Sequence, residues 1–184
     1  MNVFDTHCHY DDERFLEDRE EAYQRMRAAQ VKRCVCVGSD LASSRRCVEI
    51  AQTHEGVFAA VGVHPHEAKN VTNDYLDQLS LLLKTDKVQA LGEIGLDYYY
   101  DLSPRETQKQ IMAEQVALAR NMDVPVIYHI RDAHGDAVDF FRGQKELPSG
   151  VIHCFSGSAE TAREYVKMGF YISFAGPLTF QVPS

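Results

Sequence analysis

Hydrophobic residues along the chain form short runs rich in β-branched and aromatic types, separated by longer segments with apolar residues at helical spacing. The short runs predict strands at Asn2–Thr6, Arg33–Gly38, Val57–Val63, Val88–Ile94, Val124–Ile130, Gly150–Phe155 and Phe170–Ala175. The helical spacing predicts helices at Leu16–Ala29, Tyr75–Leu83, Pro104–Met122 and Ala159–Met168. Because strand and helix alternate, the pattern favours an α/β fold of parallel strands joined by helical crossovers.

The number of predicted strands indicates an incomplete (β/α) TIM barrel. A closed barrel needs eight strands and about 250 residues, whereas this chain has 184 residues and about seven predicted strands. We therefore expect the final strand and its flanking helices to be missing. No Pro/Gly/Ser-rich linker divides the sequence, so residues 1–184 are interpreted as a single hydrolase domain.

Composition narrows the class of protein. The hydrophobic and charged fractions, 45% and 25%, are ordinary for a globular domain. No apolar run approaches the roughly 20 residues that span a bilayer, so no membrane partner is expected. The formal charge of −8 disfavours a protein that coats DNA non-specifically. An odd number of cysteines and the lack of a signal-like N-terminus predict reduced thiols and a cytoplasmic location.

Metal-ligating side chains lie near the carboxyl ends of several predicted strands or directly after them. His7 and His9 come directly after the first strand, and residues two apart in an extended segment point to the same side. Glu93, His129 and His153 lie near the ends of the fourth, fifth and sixth strands. The carboxyl ends of barrel strands form one rim, which holds the active site in this fold. These five residues therefore predict a metal centre on that rim.

Four histidines and one carboxylate exceed what one tetrahedral ion requires. We expect two divalent ions, with Glu93 bridging them through its two oxygens. Nitrogen and carboxylate ligands suit Zn²⁺ and Mn²⁺, and Mg²⁺ where water completes the coordination. A pair of such ions can activate water and stabilise a leaving oxygen.

The motifs around these residues resemble those of the TatD family of metal-dependent deoxyribonucleases, within the amidohydrolase-like TIM barrels. They are Asp5-Thr6-His7-Cys8-His9, Gly62-Val63-His64-Pro65-His66, Gly92-Glu93-Ile94-Gly95-Leu96-Asp97-Tyr98, His129-Ile130-Arg131-Asp132-Ala133, His153-Cys154-Phe155-Ser156-Gly157 and Phe174-Ala175-Gly176-Pro177-Leu178. The resemblance implies that His7, His9, Glu93, His129 and His153 bind the metal. It also implies hydrolysis of DNA phosphodiesters through a metal-activated water, with Glu93 catalytic and a single-stranded or end-bound substrate.

The sequence departs from that family at its C-terminal end. Family members carry a further aspartate in a Glu-Thr-Asp-Ser-Pro-like motif after the eighth strand, and residues 178–184 contain no such motif. We expect weaker binding of the His7–His9 ion and a lower catalytic rate. Open sheet edges also favour association, so we expect a fragment of a longer protein, a homo-oligomer, or a less stable partial fold.

Three further residues have two interpretations each. His64 is interpreted as a phosphate contact or as a polar loop residue. Arg131 is interpreted as a phosphate clamp or as a salt-bridge partner of Asp132 or Asp136. Asp97 is expected either to order the metal ligands or to cap a turn.

Aromatic and sulfur side chains near the predicted rim are less specific. Tyr98, Tyr99 and Tyr100 could stack on bases, although three consecutive residues cannot all face one way. Cys8 and Cys154 are expected to pack as small apolar residues rather than to bind metal.

Two other functions remain open at the level of sequence. A related amidohydrolase or small phosphoester hydrolase would use the same rim, because one barrel supports many chemistries. A truncated protein that binds metal or DNA with little turnover would also carry these motifs.

Overall fold

The computed structural model describes residues 2–180. Its strands are β1 (Val3–Cys8), β2 (Val31–Val37), β3 (Val57–Val61), β4 (Val88–Asp97), β5 (Val126–Arg131), β6 (Gly150–His153) and β7 (Tyr171–Ile172). Its α-helices are α1 (Arg19–Ala28), α2 (Leu41–Thr53), α3 (Tyr75–Leu83), α4 (Arg105–Met122), α5 (His134–Arg142) and α6 (Ala159–Lys167). Short 3-10 turns occupy Glu13–Phe15, Pro65–Asn70 and Gly176–Thr179.

The strands form one parallel sheet in sequence order, from β1 to β7. Each crossover carries the chain to the next strand, which is the connectivity of a (β/α) barrel. This confirms the predicted α/β fold of TIM-barrel type with seven strands. Among the described residues, β1 and β7 are the edge strands of the sheet.

The hydrophobic core has two parts. The larger part lies between the sheet and the helices, and it includes Leu79, Met112 and Phe141. A smaller part lies inside the curl of the sheet, around Val37 and Ile127. Burial on both faces explains why the strands read as continuous apolar runs rather than as alternating ones.

The sheet is strongly curled. An apolar cavity of about 270 Å³ inside the curl is lined by Thr6 of β1, Ile127 of β5 and Tyr171 of β7. Residues from both edge strands therefore face the same space, as in a partly closed barrel. Exposed apolar side chains lie along these edges, with Phe4 47% and Tyr171 74% exposed.

Several element boundaries differ from the sequence prediction. β1 continues to Cys8, so His7 lies within the strand rather than after it, and β4 continues to Asp97, beyond the predicted end at Ile94. The predicted strand Phe170–Ala175 is reduced to the two residues of β7, which pair with β6. Helices α2 and α5 were not predicted. A signal for α2 was present, since Asp40 and Ser43 form a capping box at its start.

The described chain also bears on the membrane prediction. Within residues 2–180, no helix combines the length and the apolar character that a bilayer crossing requires.

Candidate metal centre

His7 of β1 and His9, the first residue after β1, converge at the carboxyl end of the sheet. The Nε2 atoms of His7 and His9 lie 3.1 Å apart, as their spacing of two residues predicts. The Nδ1 atom of His9 lies 2.9 Å from the carbonyl oxygen of Val37. A ring that donates from Nδ1 to a carbonyl keeps its Nε2 lone pair for a metal ion. The pair thus presents two nitrogen donors to one point.

Glu93 on β4 extends its side chain between His7 of β1 and His129 of β5, with only 5% of the residue exposed. Its Oε2 is 3.4 Å from His7 Nε2, and its Oε1 is 3.3 Å from His129 Nδ1. Burial raises the pKa of Glu93, but hydrogen bonds from His129 and His7 outweigh it and hold the pKa well below its usual range. The side chain is therefore an ionised carboxylate with one oxygen toward each neighbour.

Close backbone contact holds β4 against β5 beside Glu93. Gly95 pairs with His129 across the two strands and adopts a φ of +145°. A Cβ atom at Gly95 would lie 2.0 Å from the carbonyl oxygen of His129. Only glycine fits this position, so the second glycine of the Gly-Glu-Ile-Gly sequence allows the two strands to approach closely.

Asp97 connects the ligand His129 to the neighbouring loop. Its Oδ2 lies 2.9 Å from His129 Nε2 and 2.9 Å from His66 Nε2. Its Oδ1 accepts hydrogen bonds from the backbone N–H groups of Tyr99 and Tyr100, at 3.0 and 2.8 Å. The side chain caps a turn and hydrogen-bonds a predicted ligand at once, and its role in ordering the metal ligands stays a prediction.

The carboxylates on either side of His129 determine its charge. Burial lowers the pKa of His129, but hydrogen bonds to Asp97 and Glu93 outweigh this effect and raise the pKa to about 9. The buried amide of Gln108 on α4 fixes the Asp97 backbone, accepting from its N–H at 2.8 Å and donating to its carbonyl at 3.2 Å. This side of the rim is held by a continuous hydrogen-bond network.

His153 lies against β1 rather than beside Glu93. Its ring stacks on His7 with centroids 3.5 Å apart and planes at 10°, and its Nδ1 lies 3.3 Å from Ser173 Oγ. Burial and the nearby charge of His7 lower the pKa of His153 to about 4. The ring is therefore neutral at pH 7 and its nitrogens are free of a second proton, as metal ligation requires.

His64 lies closer to the metal donors than the sequence indicated. A donor atom of His64 forms a tight group with Glu93 and His129, and its ring centroid is 4.4 Å from that of His129. Burial lowers the pKa of His64 to about 3, so the ring is neutral. The structure therefore places His64 among the side chains that could hold an ion, and its contact with a substrate phosphate stays a prediction. The partnership of His66 with Asp97 was not predicted, although His66 belongs to the same motif.

Arg131 packs on aromatic rings at the edge of the rim. Its guanidinium carbon lies 3.8 Å from the ring centroid of Tyr99 and 5.0 Å from that of Tyr100. Neither alternative salt bridge forms, because Asp136 pairs instead with Lys109 at 2.7 Å and with the hydroxyl of Tyr98 at 2.7 Å.

The three consecutive tyrosines divide between packing and exposure. Tyr98 is partly buried against the core, whereas Tyr99 and Tyr100 are 57% and 54% exposed. The expectation that the three rings cannot face one way is confirmed.

The donor set fits divalent metal ions. Two groups of three ligand atoms, each group within 4.8 Å, share Glu93: His7 with His9, and His64 with His129. The buried Nδ1 of His7 has no hydrogen-bond partner among residues 2–180. Nitrogen and carboxylate donors around a shared carboxylate are typical of paired Mn²⁺, Zn²⁺ or Mg²⁺ sites.

Comparison with known proteins agrees with this geometry. A family model described as TatD related DNase matches residues 4–183. The chain is 42% identical over 180 residues to the Bacillus subtilis (strain 168) protein named uncharacterized metal-dependent hydrolase YabD, covering 97% of this chain and 71% of that protein. It is 33% identical over 175 residues to the Cronobacter sakazakii protein named 3′-5′ ssDNA/RNA exonuclease TatD, covering 95% of this chain and 66% of that protein.

A solved structure shows the same arrangement of the chain. The TatD homologue YjjV of Escherichia coli K12 superposes with a TM-score of 0.90 at 34% identity, covering 97% of this chain and 70% of that one. The chain thus spans about 70% of the length of the relatives YabD and YjjV.

Proposed function

The chain belongs to the TatD-related DNase family, and on that premise we propose that it is a metal-dependent hydrolase of DNA phosphodiester bonds. The position of Glu93 carries the proposal, because its two oxygens face separate groups of histidine donors. Such sharing is what a pair of ions requires, and it explains why a buried strand carries a carboxylate at this level.

The proposed ligands divide between the two sides of Glu93. His7 and His9 would hold one divalent ion with Glu93, and His129 would hold the other, with His64 beside it. His153 is the further proposed ligand of the second ion, but its ring stacks on His7 and would have to turn toward His129 to reach that ion. Divalent ions at such a site lower the pKa of water and neutralise phosphate charge when they are bound. Mg²⁺, Mn²⁺ and Zn²⁺ all suit the donors.

The protein groups have separate tasks in the proposed reaction. Glu93 is the catalytic carboxylate that both sides of the site share. Asp97 is a positioning residue, since its hydrogen bond to His129 Nε2 sets the orientation of that ring. His64 lies deep in the rim, where a neutral imidazole can contact a substrate phosphate or complete the coordination of an ion.

The surface beside the site favours a single-stranded substrate. Tyr99 and Tyr100 expose their rings, and both backbone N–H groups are tied to Asp97. Exposed aromatic faces stack on unpaired bases without sequence preference. Arg131 lies over the Tyr99 ring, where its guanidinium can donate hydrogen bonds to a phosphate. We therefore propose removal of nucleotides from the end of a strand, in the 3′-5′ direction given in the name of the Cronobacter relative.

Net charge agrees with limited contact to the nucleic acid. A chain of formal charge −8 neutralises few phosphates, so an enzyme that holds a strand end fits better than one that grips a long duplex. Its location in the cytoplasm, the single-domain interpretation of residues 1–184 and association through the edges of β1 and β7 stay predictions.

A nuclease assay tests the proposal directly. Single-stranded DNA labelled at its 5′ end should be shortened progressively in Mg²⁺ or Mn²⁺ by the wild-type chain and not by Glu93→Ala. Glu49→Ala removes an exposed carboxylate on α2 and should leave the activity unchanged. Cleavage no faster than that of Glu93→Ala would refute the proposal.

The alternatives give other results in a panel of substrates. Turnover of p-nitrophenyl phosphodiesters or of cyclic amides, with DNA left intact, would indicate a small phosphoester hydrolase or a related amidohydrolase. Binding of metal and DNA without turnover of any substrate would indicate a non-catalytic protein.

A further inference from the structure

A second cluster of metal-ligating side chains lies in the core, behind the rim. Atoms of Asp11, Cys36 and Cys47 lie within 4.8 Å of one another, and all three residues are buried. The sulfur atoms of Cys36 and Cys47 are 3.3 Å apart, and Cys36 Sγ is 3.6 Å from Asp11 Oδ1. We propose that these three residues, with Cys8, form a structural Zn²⁺ site. It is independent of the proposed hydrolase activity.

The fold brings these residues together from three segments of the chain. Cys36 lies on β2 and Cys47 on α2, which covers the sheet at that point. Asp11 follows β1 by three positions, and its donor atom lies within 4.8 Å of those of Cys36 and Cys47. Cys8 is paired with Cys36 across β1 and β2, and its thiol donates to the Val35 carbonyl at 3.2 Å, so it would turn toward Cys36 to complete the four ligands of a structural zinc site.

The separations match those of tetrahedral coordination. With bonds of roughly 2.3 Å to sulfur and 2.0–2.2 Å to oxygen, tetrahedral ligand atoms lie about 3.5–3.8 Å apart. The Cys36–Asp11 distance of 3.6 Å falls in that range, and the Cys36–Cys47 distance of 3.3 Å needs a small outward movement. Sulfur donors favour Zn²⁺ over Mg²⁺ or Mn²⁺, so the cluster differs in metal preference from the rim.

The carboxylate of Asp11 is an independent indication of a cation. Its side chain is 7% exposed, and the basic group nearest to it is His9, whose Nδ1 is 4.0 Å away and already faces the Val37 carbonyl. No lysine or arginine within residues 2–180 lies within 4.0 Å of it. A buried carboxylate without a cationic partner is costly, and a direct bond to a metal ion would replace the solvation that burial removes.

Binding would replace thiol protons by the ion. One Zn²⁺ would release the protons of Cys8, Cys36 and Cys47 to solvent and form three Zn–S bonds, with Asp11 as the oxygen ligand. No oxidation is involved. An occupied site would join β1, β2 and α2 and would fix the loop that follows His9, so it would stabilise the fold next to the rim.

Cobalt absorption separates this site from the rim. Co²⁺ is added to the reduced chain after removal of bound metal, because only thiolate ligands give intense near-ultraviolet charge-transfer absorption. The wild-type chain should show this absorption, and Cys36→Ser and Cys47→Ser should lose it. Cys154→Ser removes the thiol beside His153, and Glu93→Gln disrupts the rim, so both should retain the absorption.

Several outcomes would overturn the proposal. These are the absence of charge-transfer absorption in the wild-type chain, its survival in Cys36→Ser and Cys47→Ser, and its loss in Cys154→Ser. A disulfide between Cys36 and Cys47 in the chain purified without oxidant would also contradict it.

A measurement on the wild-type chain covers the case in which the serine variants do not fold. Zn²⁺ at about ten times its Kd should slow the reaction of Cys36 and Cys47 with N-ethylmaleimide roughly tenfold, because only the metal-free form reacts. Cys154 should react at the same rate with and without Zn²⁺. Equal rates for Cys36 in the two conditions would refute the site.

Discussion

The two sides of Glu93 are built differently. On the central strands, both ring nitrogens of His129 face carboxylates, Glu93 at 3.3 Å and Asp97 at 2.9 Å. On the outer strands, His7 Nδ1 is buried without a partner among residues 2–180, and the His9 side chain is 45% exposed. His129 is only 21% exposed. One side is organised by hydrogen bonds within the fold, and the other has donors with few protein partners.

The position of each strand in the sheet explains the difference. β4 and β5 have neighbours on both sides, and β4 is covered by α4, whose Gln108 reaches Asp97. β1 is an edge strand with a partner on one side. Groups that hydrogen-bond a metal ligand orient it and raise its affinity, so the central side should hold its ion in a preformed site and the outer side should depend on the ion for its order.

The largest effect is expected from a change at Glu93, the residue that the two sides share. Glu93→Gln keeps the size of the side chain but removes the charge that both groups of donors face. We expect metal-dependent DNA cleavage to fall by more than ~10³-fold, beyond the loss of one transition-state contact. Bound Mn²⁺ should fall on both sides of the site, as measured by elemental analysis.

A matched variant limits this test to one side. His9→Asn should release only the outer ion and leave the central one bound. Equal loss of both ions in His9→Asn and in Glu93→Gln would show that the two sides do not bind independently.

The second prediction concerns acid stability of the chain after chelation. Burial depresses the folded-state pKa of His64 to about 3, below the unfolded value of about 6.5. As pH falls below 6.5, the unfolded chain takes up a proton that the folded chain excludes, so stability declines until the pH reaches about 3. From pH 7 to pH 4 this costs ~3 kcal/mol. His153, with a pKa lowered to about 4, acts in the same direction.

Urea unfolding at a series of pH values in chelator measures this dependence. The pKa of His129, raised to about 9, offsets less than ~1 kcal/mol of it over the same interval, and the pKa of Asp11, raised by burial to about 6, offsets a further ~2 kcal/mol. His64→Asn should flatten the curve, whereas His54→Asn, at the end of α2, should not. A wild-type curve that is flat between pH 7 and pH 4 would contradict the buried neutral state of His64.

The third prediction concerns a variant that weakens the central side alone. Asp97→Asn keeps a hydrogen-bonding side chain but removes the charge that faces His129 and His66. We expect a loss of about 10- to 100-fold in DNA cleavage or in Mn²⁺ affinity, the range for removal of a group that hydrogen-bonds a metal ligand. Asp101→Asn changes an exposed carboxylate paired with Arg105 at 3.1 Å and should cost nothing measurable. Identical activities of the two variants would refute the positioning role.

Sequence reasoning reached the parts of the site that depend on local geometry. The convergence of His7 and His9 follows from alternation along a strand, and the Nε2 distance of 3.1 Å confirms it. The parallel sheet followed from alternating elements, and the common rim followed from the sheet. Local rules were sufficient for these features because they involve neighbouring residues or the ends of consecutive strands.

Contacts across the fold could not be predicted in the same way. His66 and Asp97 are 31 residues apart, and their meeting depends on strand register and on the 3-10 turn that follows β3. The stacking of His153 on His7 depends on the curl of the sheet, which no local pattern encodes. Arg131 had carboxylates near it in sequence, but its contact with Tyr99 depends on how the end of β5 packs against the turn that follows β4.

The smallest expected effect is the order in which the ions leave. His129 has two carboxylate partners in the fold, whereas His9 is half-exposed beside an edge strand. During a chelator titration the outer ion should therefore be released at ~10-fold lower chelator concentration than the central one. This is the lower end of the effect of groups that hydrogen-bond a metal ligand. Mn²⁺ is the suitable probe because thiolates do not favour it, and electron paramagnetic resonance distinguishes a coupled pair from a single ion. His9→Asn should abolish the early phase, and Asp97→Asn should merge the two phases by weakening the central ion. Release of both ions in one phase from the wild-type chain would show that the hydrogen bonds around His129 do not distinguish the two sides.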